Sequence, residues 1–226
     1  MEKIDFKVKE KEFYLPKTEP SMIQVPEMNF IMVDGHGDPN EENGDYKKSI
    51  ELLYALSYTI KMSQKYKKDT SAFMNLPDYV VPPLEGLWWL EDANDMDFTQ
   101  KSKFCWTSMI RQPDFVTPAA FEAAKEAVQK KKPELDVTKA RLERFEEGLC
   151  VQCMHIGPYD AEPATMEKME IYVQDNNLIY DIGNPSPDNK IRRHHEIYLS
   201  DPRKANPATM RTVLRHPVLR KDPACN

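Results

Sequence analysis

The sequence of 226 residues predicts an α+β fold: two pseudo-twofold-related strand-strand-helix-strand-strand halves, an antiparallel sheet with helices on one face, and a concave ligand pocket on the other. Three observations predict it. Short apolar runs occur in pairs separated by turn residues, helical patterns fall between the pairs, and the order of elements recurs in the second half with the same proline spacing. The whole chain, 1–226, then forms a single domain built from two repeats, about 20–132 and about 138–218. A single copy leaves one apolar face uncovered, which explains the doubled length.

The elements follow in order. Ser21 to Val25 and Asn29 to Val33 flank Pro26-Glu27-Met28, a hairpin signal, and Asp34-Gly35-His36-Gly37-Asp38 ends the second run in a turn. Ile50, Leu53, Leu56 and Ile60 lie on one stripe of a helix over Asp45 to Tyr66. An aromatic strand spans Pro82 to Leu90, and another strand spans Phe104 to Ile110. Thr117-Pro118 combines a capping residue with proline at the first helical position, and the helix ends before Pro133. In the second half, Lys139 to Phe145 and Leu149 to Ile156 flank Glu147-Gly148, a second hairpin signal. A helix carrying Met166, Met169 and Val173 follows, then strands over Ile179 to Ile182 and Arg192 to Leu199. Gln112-Pro113 to Thr117-Pro118 matches Asp201-Pro202 to Asn206-Pro207 in spacing, and the pattern predicts an amphipathic helix after each.

Composition narrows the function. Residues are 40% hydrophobic and 30% charged, as in a soluble folded protein. Seven glycines against 18 prolines, with no phosphate-binding glycine motif, argue against nucleotide chemistry. A net charge of −6, with Lys130-Lys131-Lys132 the one dense basic run, argues against nucleic acid as a partner. No stretch is apolar enough for a membrane or a secretory signal, so the expectation is a cytoplasmic protein. Cys150 and Cys153, three apart in a strand, point to opposite faces and read as structural, and the five histidines form no metal constellation in the sequence. No cofactor or metal is expected.

The most informative segment is Arg192 to Asp201. With period two, His194, Glu196 and Tyr198 share one face, and Ile197 and Leu199 share the other, which is expected to meet the helices. A mid-strand glutamate between histidine and tyrosine is either solvated or enclosed, and if enclosed it can receive a cation, accept a proton or position water. Trp88 and Trp89 face opposite ways, and the period leaves open which of them lines the pocket. Aligning the prolines matches Thr107 to Glu196 and Trp106 to His195, which makes Trp106 a core residue. Tyr159 stands at a strand-to-helix turn.

Together, Val25 to Phe30 leading into Asp34 to Asn40, Pro83-Leu84-Glu85-Gly86-Leu87-Trp88-Trp89, Met109 to Phe115, His155-Ile156-Gly157-Pro158-Tyr159 and His195 to Pro202 resemble the GyrI-like small-molecule-binding superfamily over about residues 5–218. The Glu-Gly-Leu-Trp-Trp form of the motif looks most like the stand-alone cyclopropanoid cyclopropyl hydrolases, and the sequence leaves no room for a helix-turn-helix module before Val25. The resemblance implies a pocket for a planar aromatic or cationic small molecule, with Glu196 in it, and a detoxifying hydrolase that opens the cyclopropane ring of spirocyclopropyl dienone DNA-alkylating compounds. Glu196, Tyr159 and Tyr198 are then the candidate catalytic residues, and Trp88, Trp89, Glu85, Thr107 and His194 the candidate ligand-binding residues. The rival reading is a non-catalytic multidrug-binding or sequestering protein, or a module that inhibits a protein target.

Overall fold

A computed structural model describes residues 3–63, 77–91, 100–185 and 190–221. In chain order these form α1 (Phe6–Lys9), α2 (Lys11–Tyr14), β1 (Ser21–His36), α3 (Asp45–Ser63), β2 (Leu84–Leu90), β3 (Phe104–Gln112), α4 (Pro118–Lys131), β4 (Ala140–Ile156), α5 (Glu162–Asp175), β5 (Leu178–Tyr180), β6 (His194–Tyr198) and β7 (Arg211–Arg220). All strand pairings are antiparallel, in the order β4-β1-β3-β2-β6-β7. β7 also pairs with β4, so the sheet closes on itself as a barrel, and β5 extends the far end of β7. Closure removes the exposed edges that an open sheet would present. The loop around Asn75 and most of the acidic turn after Leu90 lie outside the described residues.

Neither expected hairpin forms. β1 runs straight through Pro26-Glu27-Met28 and β4 straight through Glu147-Gly148, and the two strands pair with each other along most of their length. The irregularities coincide. The register is unbroken from Val25↔Gly148 to Glu27↔Glu146, so Pro26, lacking an N–H, stands level with Glu147 and next to the Val25↔Gly148 pair. Gly148 has φ +74, and the Arg192 guanidinium occupies the space a Cβ would fill there. Two breaks facing each other bend a strand pair; a hairpin would need a turn within one strand. Beyond Gly148 β4 stays paired with β1 as far as Gln152 and takes β7 on its other edge, pairing Cys150–Ile156 with Arg211–Pro217.

The proline match is also unequal. Thr117 accepts a hydrogen bond from the Ala120 N–H (3.2 Å), Pro118 opens the helix, and α4 runs to Lys131. Asn206 caps only a single 3-10 turn, Pro207–Thr209, and β7 begins at Arg211 where a second helix was expected. Here tertiary pairing overrides the local pattern, because the segment is shared among β6, β4 and β5.

The outer face of the barrel bears the helices. Leu52, Leu53, Leu56 and Ile60 of α3 and Phe121, Ala124 and Val128 of α4 pack on Ile31, Val33, Leu84 and Ile110, while Met169 and Val173 of α5 pack on Val151, Cys153 and Leu214. The inner face holds Val25, Met28, Phe30, Leu87, Met109, Phe145 and Cys150. Cys150 and Cys153 therefore face opposite ways, as the alternation predicts.

Charged groups stand among these inner apolar residues and bond across the barrel. His195 lies between Glu147 (3.0 Å) and Glu85 (3.1 Å), and Arg215 bonds Glu147 (3.2 Å), Gln152 (3.0 Å) and the Phe13 carbonyl (2.7 Å). The last bond ties down α2, whose Phe13 and Tyr14 line the same small internal cavity as Glu85, Glu147 and His195. Arg111 secures the segment further, bonding Glu10 and lying 4.1 Å over the Phe6 ring. Burial alone would lower the His195 pKa, but the Glu147 and Glu85 carboxylates reverse that and hold it at about 9. Burial would raise Glu147, but His195 and Arg215 bring it to about 2.

A pH dependence of stability follows. The His195 contribution is complete below its ordinary value of 6.5 and is lost as pH rises through about 9; that of Glu147 is complete above 4.5 and is lost as pH falls toward 2. The stability that this network supplies, read as the melting-temperature difference between wild type and Glu147→Gln, should therefore be level between pH 4.5 and 6.5 and decline on both sides. Glu147→Gln, which leaves Arg215 without its carboxylate partner, should cost about 3–5 kcal/mol at pH 6 by urea denaturation and make the alkaline decline shallower.

Candidate functional site

β6, β2 and β3 lie side by side, and their register sets three rows across the outer face: His194–Trp88–Trp106, Glu196–Gly86–Ser108 and Tyr198–Leu84–Ile110. The predicted alternation along β6 holds, but the faces are exchanged. Glu196 and Tyr198 look outward toward the helices, and Ile197 looks into the barrel beside Tyr14, Met154 and Val213. Period two separates the two sets of residues without saying which side the helices cover.

An aromatic group surrounds the central row. Trp88 is buried, donates its Nε1–H to the Tyr198 hydroxyl (2.8 Å), and packs 5.8 Å from Trp106, 5.9 Å from Phe104 and 5.2 Å from Tyr46 of α3. Tyr46 also meets Trp106 edge-on, at 5.2 Å. Tyr159, on the 3-10 turn that leads into α5, stands edge-on to Tyr198 at 5.9 Å and is the exposed member of the group. Gly86 makes this packing feasible: a Cβ there would lie 2.7 Å from the Trp88 Nε1 and 3.3 Å from the Tyr198 oxygen. Gly35 does the same for Trp106, whose indole lies 2.6 Å from where a Cβ would stand.

The polar part of the site is buried. Glu196 bonds His194 Nε2 (2.9 Å) and the Tyr198 hydroxyl, and His194 Nδ1 bonds His216 Nε2 (2.6 Å). Burial, and then His194, push the His216 pKa well below its ordinary value, so the ring is neutral. Glu162, the first residue of α5, completes the cluster. One ligand atom each from Glu162, His194 and Glu196 lies within 4.8 Å of the others. Glu162 is 1% exposed, and its Oε1 has no hydrogen-bond partner. Burial and then the Glu196 charge raise its pKa to about 10, so at neutral pH it is a carboxylic acid. Burial, followed by Glu196, also raises Tyr198 well above its ordinary value and Tyr159 to about 12, which keeps both phenols protonated as donors. These three groups have the donor types of a metal site.

Of the predicted site residues, the fold brings together Glu196, His194, Tyr198, Tyr159 and Trp88. It separates the other three, which belong to the opposite face. Glu85 bonds His195 inside the barrel, Thr107 donates to Asp34 (2.7 Å), and Trp89 lies under the Arg193 guanidinium at 4.5 Å. The proline alignment placed Thr107 level with Glu196; the register puts Ser108 there. Trp106 is core, as expected, yet it lies on the side of the sheet that carries the site. Tyr46, Glu162 and His216 carried no sequence signal of their own. Tyr46 reads as a helix residue, and a glutamate opening a helix reads as a partner of the helix dipole.

A barrel with helices on its outer face and a buried carboxylate among aromatic rings defines a small-molecule-binding protein. The GyrI-like small molecule binding domain model matches residues 18–219, and the chain belongs to that family. A crystallised hydrolase from Listeria innocua is 49% identical, with 96% of this chain and all of that one aligned at a TM-score of 0.83. An uncharacterized conserved protein from the same organism is 51% identical over the same shares, with a TM-score of 0.86. The C-terminal domain of EcmrR, 13% identical with a TM-score of 0.51 over 89% of this chain and 98% of that one, shares the fold alone. No curated protein matches the chain.

The close packing at Gly86 makes it a sensitive position. Gly86→Ala should break the Trp88–Tyr198 hydrogen bond and cost about 1–3 kcal/mol in chemical denaturation, with a red shift of tryptophan emission as the Trp88 indole is displaced.

Proposed function

We propose that the protein binds planar aromatic compounds beside Trp88, Tyr159 and Tyr198 and hydrolyses the cyclopropane ring of spirocyclopropyl dienones, a detoxifying reaction. The observation that carries this reading is the placement of Glu196: a buried carboxylate held by His194 and Tyr198, next to the exposed edge of an aromatic group. The high identity to a protein named a hydrolase supports hydrolytic chemistry.

Ring opening needs little from the protein. The oxygen of water forms a bond to the cyclopropane CH2, the ring C–C bond breaks, and its electron pair moves into the dienone, which becomes an aromatic phenol. Glu196 takes one proton from the water and later returns it to solvent, and the phenolate oxygen takes one proton from solvent, so that water is the only reagent consumed. Tyr198 is committed to Glu196 and Trp88 and so acts as a positioning residue, leaving Tyr159 as the hydrogen-bond donor to the dienone oxygen. Flat rings stacked against the aromatic group align the CH2 with the water.

Substoichiometric protein mixed with a spirocyclopropyl dienone should yield many equivalents of ring-opened phenol by chromatography. One equivalent or less would instead establish a sequestering protein that uses the same site. Glu196→Gln should lower kcat by about a hundredfold or more. Quenching of tryptophan fluorescence by a bound planar ligand should weaken in Trp88→Ala and be unchanged in Trp89→Ala.

A further inference from the structure

The Glu196 carboxylate would suffice to receive a cation or activate water, yet the fold brings a second carboxyl beside it. Glu162 comes from a different element, is as thoroughly buried as the core, and leaves Oε1 without a hydrogen-bond partner. An unsatisfied buried carboxyl oxygen costs stability and calls for a compensating role. The ionisable groups beside it are Glu196 and His194 from β6 and Asp160 and Tyr159 from the turn before α5; His216 from β7 adjoins His194, and Tyr198 and Tyr46 adjoin Glu196. Among the described residues no arginine or lysine forms an ion pair with it. Two carboxylates this close, in a dry site and without a cation, cannot both ionise, so one holds a proton until a positive charge arrives.

We infer that Glu162 is a second ligand-binding carboxyl of this site, which keeps its proton when the site is empty or holds a neutral ring system and exchanges it for a ligand carrying a positive charge. The inference rests on the ligand site proposed above and adds to it a residue and the proton exchange by which a charged ring system is admitted. The charge balance favours the exchange. The two carboxyls with one proton between them carry −1; with a monocation bound and that proton released to solvent, the carboxyls and the ligand together carry −1 again. A neutral planar compound binds with Glu162 still an acid, whose O–H can donate to a carbonyl oxygen on the ligand. One site thereby accepts two classes of ring system without leaving a buried charge unpaired.

The probes are ethidium, a permanent planar cation, and pyrenemethanol, a neutral planar compound of similar size. Titration calorimetry at pH 7 in phosphate and in Tris, whose ionisation heats differ, reads the protons exchanged. Wild type should release about one proton per ethidium bound and none per pyrenemethanol, and its ethidium Kd should fall by up to tenfold for each unit of pH rise between 6 and 8. Glu162→Gln, shown to be folded by its circular dichroism and cooperative thermal melt, should release no proton on binding ethidium and lose the pH dependence of the ethidium Kd. His194, His216 and Asp160 are common to both proteins, so the difference isolates Glu162. Ethidium binding to wild type without proton release, or equal release by Glu162→Gln, overturns the inference and leaves the ligand site standing. Failure of wild type to bind either probe overturns the ligand site and the inference together.

Discussion

The ion network through the barrel's centre is what the rest of the structure depends on. Glu147 on β4, His195 on β6, Glu85 on β2 and Arg215 on β7 bond across the interior, linking strands that do not all lie side by side. Isolated, any one of these charges would cost several kcal/mol to bury; together they form two cations and two carboxylates that neutralise one another. The network also anchors the N-terminal segment, because Arg215 bonds the Phe13 carbonyl. The network and the apolar side chains around it fill the barrel's interior down to one small cavity.

Three of the four strands that feed this network, β2, β6 and β7, also feed the site on the other side. On β6, His195 belongs to the network, and the adjacent His194 and Glu196 belong to the site. On β2, Glu85 turns inward while Gly86 opens the space in which Trp88 meets Tyr198. Rigid packing on one side of the sheet therefore fixes the positions of the groups on the other, and the site's carboxylate needs no support from a mobile loop. The helices contribute at their first turns, Tyr46 from α3 and Glu162 from α5, so the site lies at the junction of the two helical layers.

Much of this was legible in the sequence. Alternation along Arg192 to Asp201 grouped His194, Glu196 and Tyr198, the helical stripe of α3 was visible in Ile50 to Ile60, and the Thr117-Pro118 pair marked the start of α4. The hairpins failed for a physical reason: Pro26 and Glu147-Gly148 carry turn chemistry, but the same residues serve a bend when they face each other across a strand pair. The matched prolines misled in a similar way. They govern the next few residues only, and the segment after Asn206 was claimed by three neighbouring strands.

The sequence by itself determined which residues share a face, since the two-residue period of a strand is a property of the backbone alone. It also determined the capping of α4 and the mixture of helix and strand. Only the tertiary structure decided which face the helices cover, that Ser108 stands level with Glu196 and Thr107 does not, and that Glu162 meets Glu196. Each of these depends on strand register and helix docking, which arise from packing between segments far apart in the chain and leave no local mark on the residues they bring together.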